Sequence, residues 1–141
     1  GKRATVFKLN SNQFGVLICY EIIFPDLVRQ SVKSGAEYLV NITNDAWFGK
    51  TAASYQHISM AALRAVENRT PIIRAANTGI SGFIDATGQI RNTTQLFTRE
   101  FIASDITPNT GPRTFYSKFG DIFSYFCLAL TATIALLAYR S

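Results

Sequence analysis

The sequence is poor in the residues that build metal sites and disulfide frameworks. Its 141 residues include two cysteines and one histidine, and no Cys-x-x-Cys spacing occurs. Zinc sites need closely spaced Cys and His ligands, so we expect neither a metal site nor a cofactor. Cys127 lies inside an apolar run and Cys19 lies far outside it, which leaves Cys19 as a free thiol.

Charge is also scarce. Charged residues make up 16% of the chain and hydrophobic residues 48%, a composition that excludes a disordered segment. This hydrophobic fraction is high for an ordinary soluble domain with so little charge. The formal net charge is +5, but Lys and Arg are scattered with no run of three. Proximity to a membrane surface accounts for this charge, and we expect no nucleic-acid partner.

The apolar excess lies near the C-terminus. Residues 122–139, bracketed by Asp121 and Arg140, contain eighteen positions without a charge or a proline. As a helix this run spans roughly 27 Å, enough to cross a bilayer. A buried core helix is the alternative, but such helices usually keep a polar stripe that this run lacks. We therefore predict a transmembrane helix, and because basic residues flank both ends, the charge bias gives no orientation.

The first part of the chain has the pattern strand, helix, strand. Residues 13–19 (QFGVLIC) are apolar and suit a strand buried on both faces. Pro25 marks a first helical turn and Gly35 a helix end, and residues 38–43 (YLVNIT) suit a second strand. A βαβ unit of this kind implies two parallel strands.

A loop and a long amphipathic segment follow. The loop runs from Asn44 to Lys50, and the pattern over residues 54–69 predicts a helix that Pro71 ends. The apolar face of this helix is predicted to carry Ile58, Ala62, Ala65 and Val66.

Beyond this helix the pattern changes to short extended segments. Residues 71–77 and 82–86 read as adjacent strands, residues 101–106 as a last strand, and residues 108–112 as a stiff linker. Alternating strands and helices that give way to hairpin-like strands indicate an α/β sandwich with mixed sheets.

Cys19 is the first candidate for chemistry. It closes a buried strand just before a helix, a junction that commonly presents side chains to ligands, and the positive end of a helix dipole there favours a thiolate. A small buried hydrophobic residue is the alternative from position alone. Parallel pairing would place Cys19 and the loop that begins at Asn44 at the same end of the sheet, bordering one cleft.

Three segments together carry a family resemblance. Cys19-Tyr20-Glu21 after a buried strand is a weak signal by itself, whereas NDAWFG (44–49) followed by ALRAVENRTPIIRAANTGISGFIDATG (62–88) is a strong one. Over residues 13–107 the chain resembles the nitrilase, or carbon–nitrogen hydrolase, superfamily, and within it the membrane-anchored enzymes that N-acylate apolipoproteins. The resemblance implies a partial α-β-β-α sandwich followed by one C-terminal transmembrane helix.

The same resemblance implies a division of the chain. Residues 1–107 would form the C-terminal part of a nitrilase-like catalytic domain, 108–121 a linker, and 122–139 the transmembrane helix. The chain opens on glycine and shows no signal peptide, so we expect it to begin in mid-domain.

Cys19 would be the nucleophile of a Glu-Lys-Cys triad whose other two members lie upstream in the family. Only eighteen residues precede Cys19, and Lys2 and Lys8 do not fit the family's lysine motif, so the chain alone is expected to be inactive. Tyr20 would offer its backbone N–H to the oxyanion, and Glu21 would be a supporting carboxylate or a plain salt-bridge partner.

Substrate contacts are implied for the loop after the second strand. Asn44, Trp47 and Phe48 would bind substrate, the two aromatic rings forming an apolar wall for an acyl chain; rings of this kind are as often core anchors.

The remaining polar residues have more than one interpretation. His57 could pair with Cys19 as a base, but a structural histidine is the simpler explanation. Arg64, Glu67 and Arg74 are expected to form structural ion pairs. Residues 77–79 line the cleft or make a turn that Gly79 permits.

The activity implied by the resemblance is a two-step acyl transfer. Cys19 would take an acyl group from a phospholipid as a thioester, and the amine of a diacylglyceryl-cysteine apolipoprotein would accept it, at the periplasmic side of a bacterial inner membrane. The alternatives are a membrane-anchored amidase that hydrolyses a small amide and a non-catalytic membrane-tethered binding module.

Overall fold

One mixed β-sheet organises the chain. The computed structural model describes residues 4–140, so Lys2 lies outside the described residues. Six strands stand side by side in chain order. They are β1 (Val6–Leu9), β2 (Asn12–Ile18), β3 (Tyr38–Asn44), β4 (Ile72–Asn77), β5 (Gly82–Ile84) and β6 (Ile90–Arg91).

The three central strands are parallel and the outer ones antiparallel. Helix α1 (Pro25–Lys33) connects β2 to β3, and helix α2 (Ala52–Asn68) connects β3 to β4, so two βαβ units share the strand β3. The first of these units is the one predicted from the sequence. Strand β2 ends one residue earlier than predicted, because Cys19 already begins a 3₁₀ helix, Cys19–Ile23.

Local sequence accounts for the ends of both helices. Pro25 stands in the first turn of α1, and Gly35, just past its end, has a φ of 112° that few other residues adopt. The hydroxyl of Thr51 caps α2 by accepting a hydrogen bond from the Ala53 N–H at 3.3 Å. The prediction that Val66 lies on the apolar, buried face of α2 was wrong, because Val66 is 46% exposed.

The core lies on one face of the sheet, beneath α1 and α2. Side chains from four strands and both helices pack into a single cluster there. Its main members are Leu17, Leu39, Ile72 and Ile84 from the strands, Val28 and Val32 from α1, and Ile58, Ala61 and Ala65 from α2.

Within residues 4–140, the opposite face of the sheet is apolar and no helix covers it. Paired residues of neighbouring strands line up across it, including Ile18 beside Ile42 and Val40 beside Ile73. Ile18 is 64% and Ile42 51% exposed, although the sequence pattern predicted that β2 is buried on both faces. An exposed apolar face of this kind is normally covered by another layer in a folded protein.

The segment after β6 differs from its prediction. Residues 101–106 are not a strand, because no neighbouring strand pairs with them and Phe101 is 92% exposed. A short helix that was not predicted, α3 (Phe115–Phe119), packs against α1 and α2. The Thr114 hydroxyl donates to the Glu67 carbonyl at 2.6 Å, and the Ser117 hydroxyl donates to Asn68 Oδ1 at 2.8 Å.

The last helix, α4 (Ile122–Arg140), is apolar on all sides. The stretch Ile122–Tyr139 has a mean hydropathy of 1.9 and no buried part, so it is not a core helix of the described chain. The hydroxyls of Thr131 and Thr133 donate to carbonyls one turn earlier, at 2.9 and 2.8 Å. This helix is long and apolar enough to cross a membrane.

The two faces of the sheet predict different costs for truncating their side chains. Leu39 is fully buried beneath the helices, so Leu39→Ala should lower the free energy of unfolding by about 2–5 kcal/mol. Ile42, on the uncovered face, should cost less than about 1 kcal/mol when changed to Ala. Denaturant titration of the 141-residue chain in detergent measures both values. Equal losses would mean that another molecule covers the open face.

Candidate active site

Cys19 stands in a strained backbone conformation at the carboxyl end of β2. Its φ is 52°, in the left-handed region, which costs a residue other than glycine on the order of 1–3 kcal/mol. The Cys19 side chain is half-buried and forms no disulfide. Such conformations persist only where the surrounding contacts fix them, and they are concentrated at functional sites.

Residues 18–21 form a turn, here called the Cys19 turn, and Glu21 holds it from the solvent side. Its Oε2 atom accepts a hydrogen bond from the backbone N–H of Ile18 at 2.7 Å, closing the loop of chain that contains Cys19. In the described part of the chain Glu21 forms no ion pair. The described contact of Glu21 fixes the backbone next to the candidate nucleophile.

Asn41 holds the same turn from the protein interior. It is fully buried in β3, and its Nδ2 group donates to the Leu17 carbonyl at 3.0 Å and to the Cys19 carbonyl at 3.3 Å. One amide group thus contacts the carbonyls on both sides of Ile18.

A set of buried polar residues, here called the buried charge cluster, surrounds this amide. It consists of Asn41, Asp45, His57 and Arg74, each no more than 3% exposed. Arg74 donates through one terminal nitrogen to Asn41 Oδ1 and through the other to Asp45 Oδ2 at 2.7 Å. The Arg74–Asp45 ion pair confirms the structural role predicted for Arg74, and Arg64 pairs with Glu67 at 3.2 Å as expected.

His57 belongs to this cluster and does not pair with the Cys19 thiol. Its Nδ1 atom lies 3.1 Å from Asp45 Oδ1, and its Nε2 atom is buried without a hydrogen-bond partner. Burial and the positive charge of Arg74 lower the His57 pKa, while Asp45 and the Cys19 backbone act in the opposite direction. No hydrogen bond joins His57 to the Cys19 thiol in the described residues, and the contacts of His57 are those of a structural histidine.

Aromatic rings from three elements meet beside Cys19. The Tyr20 ring lies 5.2 Å from the His57 ring and 6.2 Å from the Phe48 ring, centroid to centroid. Trp47 stacks on Phe48 at 5.4 Å and is 76% exposed, so it is not a core anchor. These contacts show that the Cys19 turn and the loop after β3 are neighbours, as parallel pairing of β2 and β3 predicted.

Asn44 shapes the loop that presents these rings. Its Oδ1 atom accepts from the Ala46 N–H at 3.1 Å and from Asn77 Nδ2 at 3.3 Å, joining the ends of β3 and β4. The turn after β4 was attributed to Gly79, but Thr78 is the residue there with a positive φ, at 58°. Gly79 is needed for space, because a Cβ there would lie 2.5 Å from Asp45 Oδ2.

Sequence reasoning missed two residues of the site. Asp45 lies within the NDAWFG motif, but its buried partners belong to distant segments of the chain. Asn41 gave one signal, as a polar residue in the middle of the apolar strand β3. Lys8 is excluded from the site, since the register places it opposite Gln13, about 20 Å along β2 from Cys19.

Comparison with known proteins gives a family match and close relatives. The sequence profile of the carbon–nitrogen hydrolase family matches residues 1–114. An apolipoprotein N-acyltransferase of Geobacter metallireducens is 46% identical over 140 residues, which are 99% of this chain and 27% of that protein. Apolipoprotein N-acyltransferase 1 of Treponema denticola is 40% identical over 128 residues, 90% of this chain and 24% of that protein. The chain spans about a quarter of the length of these relatives.

Solved structures share the fold. The nitrilase-superfamily protein Nit3 of Saccharomyces cerevisiae matches with a TM-score of 0.59 and 24% identity, covering 68% of this chain and 38% of that one. A variant of an amidase from Nesterenkonia sp. AN1, in which acrylamide has added to the active-site cysteine, matches with a TM-score of 0.56 and 22% identity, covering 68% of this chain and 40% of that one. The nitrilase-like fold predicted from the sequence is thereby confirmed.

The lowered pKa of His57 predicts that acid destabilises the fold. The unfolded chain takes up this proton near the ordinary pKa of 6.5, whereas the folded chain resists it, so stability is lost progressively as pH falls below about 6.5. Because His57 is the only histidine, His57→Asn removes all histidine titration from the chain. Denaturant unfolding at pH 7.5 and 5.5 should show a larger loss in the native chain than in the variant. Equal losses would refute the assignment, since the carboxylates, including Glu67 with its raised pKa, are common to both proteins.

Proposed function

The chain belongs to the carbon–nitrogen hydrolase family, and we propose on this basis that it is part of an apolipoprotein N-acyltransferase whose nucleophile is Cys19. The observation that carries the proposal is the 46% identity to such an enzyme over 99% of the chain. Because the chain spans about a quarter of its relatives' length, the activity is proposed for the longer enzyme that contains this segment.

In the first step the Cys19 thiolate attacks the ester carbonyl of a phospholipid. The new S–C bond forms, the C–O ester bond breaks, and a lysophospholipid leaves with the proton that the thiol gave up. The family resemblance assigns the transfer of that proton to an upstream Glu, and oxyanion stabilisation to an upstream Lys together with the Tyr20 N–H. The strained turn supports the role of Cys19 as the nucleophile, because it holds this residue at the carboxyl end of β2.

In the second step the α-amine of a diacylglyceryl-cysteine apolipoprotein attacks the thioester carbonyl. An amide bond forms, the S–C bond breaks, and the proton lost by the amine returns the sulfur to a thiol. A thiolate leaves readily, so the thioester suits a transfer to an amine. Both substrates are lipids.

The aromatic rings next to Cys19 suit the acyl chain. Trp47 exposes most of its surface although it is large and apolar, and it stacks on Phe48 beside Tyr20. Burying such rings against a hydrocarbon chain would remove apolar area from water on both sides. In this proposal Asn44 binds the substrate indirectly, through the shape of its loop.

The helix α4 fits an enzyme that works on lipids. A membrane span confines the site and both substrates to one surface, and relatives and helix together indicate a membrane protein. We place the protein in a bacterial inner membrane with the catalytic domain on the periplasmic side, and the domain limits 1–107, 108–121 and 122–139 remain part of the proposal.

A small-amide hydrolase is the weaker candidate. The likeness to an amidase structure rests on 22% identity and shows the fold alone, whereas the relatives with 40–46% identity are named as acyltransferases. A binding module without chemistry would leave the conformation of Cys19 without a function.

The thioester is the intermediate to test. Incubating the full-length enzyme with phospholipid and no amine acceptor should add the mass of one fatty acyl group, because the first step can proceed without the second. Hydroxylamine should remove that mass, and Cys19→Ala should not acquire it. Intact-protein mass spectrometry gives the answer, and an unmodified native enzyme would favour an amidase or a module without chemistry.

The periplasmic placement predicts which cysteine an impermeant reagent can reach. In a full-length enzyme whose cysteines other than Cys19 and Cys127 are replaced by serine, a membrane-impermeant maleimide added to spheroplasts should label Cys19 without lysis. Cys19→Ser should abolish this labelling, and Cys127→Ser should leave it unchanged because Cys127 lies in the apolar span. Labelling that appears only after lysis would place the domain in the cytoplasm.

A further inference from the structure

We propose that the buried charge cluster positions the nucleophile, with Arg74 acting through the amide of Asn41 on the backbone of the Cys19 turn. This inference rests on the proposed function, in that Cys19 is the reacting group. It assigns positioning roles to Asn41 and Arg74, neither of which bonds to the thiol.

The contacts of Asn41 all point to the turn or to Arg74. Its side chain is fully buried between Leu39 and Thr43 of the same strand face, where an apolar residue would be the ordinary choice. Burying an amide is unfavourable unless its donors and acceptor are satisfied. Here the Nδ2 group donates to the carbonyls of Leu17 and Cys19, so both of its hydrogen bonds go to the Cys19 turn and the strand residue just before it.

Arg74 fixes the orientation of that amide. Its guanidinium donates to Asn41 Oδ1, which forces Nδ2 to face the turn. The guanidinium is itself held in place, because its Nε donates to the Ile80 carbonyl at 3.2 Å and a terminal nitrogen pairs with Asp45 Oδ2 at 2.7 Å. A guanidinium offers these donors in a rigid plane, so the arrangement allows little rotation.

Asp45 closes the chain of contacts. The Thr43 hydroxyl donates to Asp45 Oδ1 at 2.9 Å, and the Asp45 N–H donates to the Asn77 carbonyl at 3.2 Å. His57 Nδ1 meets the same carboxylate from α2. Contacts from β3, β4 and α2 therefore hold Asp45 in place, and Asp45 in turn holds the Arg74 guanidinium.

The position of this chain of contacts suggests a role beyond stability. It ends on the carbonyl of Leu17 and on that of Cys19, the strained residue itself, and a left-handed φ at a cysteine relaxes if those carbonyls are released. Relaxation would move both the sulfur and the following N–H of Tyr20, the two groups that must face one carbonyl carbon. Burial lowers the Arg74 pKa, and the Asp45 carboxylate and, more weakly, Cys19 act in the opposite direction.

The test compares two equally buried asparagines in the full-length enzyme. Asn41→Asp keeps the size of the side chain and can still accept from Arg74, but it cannot donate to the turn. Asn68→Asp makes the same chemical change at a fully buried site whose partners are the Arg64 carbonyl and Ser117. A third variant, Arg74→Lys, keeps the charge but lacks the planar set of donors.

Two readouts separate positioning from stability. The first is the rate at which iodoacetamide alkylates Cys19 at fixed pH, followed on the Cys19 peptide by mass spectrometry. The second is the single-turnover rate of thioester formation against the KM for phospholipid. Asn41→Asp should lower thioester formation by about 100-fold, the loss expected for a displacement of roughly 1 Å, with KM unchanged. Arg74→Lys should change both rates in the same direction, and Asn68→Asp should leave both at the native level.

Each result has a defined meaning. Native rates in Asn41→Asp, or equal losses in Asn68→Asp, would overturn the positioning role. If Asn41→Asp does not fold, Arg74→Lys decides in the same way. Alkylation needs no substrate, so it tests positioning independently of the acyltransferase. If the native enzyme forms no thioester but Asn41→Asp slows alkylation, the positioning role is upheld and the acyltransferase is refuted.

Discussion

The ion pair between Arg74 and Asp45 is the contact on which the rest of the site depends. Both side chains are almost fully buried, so removing either partner would leave an uncompensated charge in the interior, a change that typically costs 3–5 kcal/mol. The pair joins β4 to the loop after β3, and His57 adds α2. Three elements that meet at the carboxyl end of the sheet are thus held together by the Asp45 carboxylate, through Arg74 and His57.

A second constraint is the one-sided sheet. The helices cover one face and leave the other apolar and open, and the Cys19 turn stands at the end of both faces. In a layered α/β fold such a face is a contact surface for another sheet.

Sequence reasoning succeeded where periodicity or motif spacing carried the information. The first βαβ unit, the apolar C-terminal helix and the adjacency of Cys19 to the NDAWFG loop follow from local patterns, and the motifs identified the family. It failed at residues 101–106, because a strand needs a partner that a local pattern cannot supply. The role of Asn41 was equally hidden, since its partners lie 22 to 33 residues away in the chain.

The short helix α3 also has a geometric consequence. Thr114 and Ser117 bond to the end of α2, and a Cβ at Gly120 would lie 3.1 Å from the Arg29 guanidinium on α1. The chain is thus fastened to the domain up to two residues before α4 begins. If α4 crosses a bilayer, this attachment leaves it little freedom to swivel, and the height of the Cys19 sulfur above the lipid surface would then be a fixed dimension of the fold.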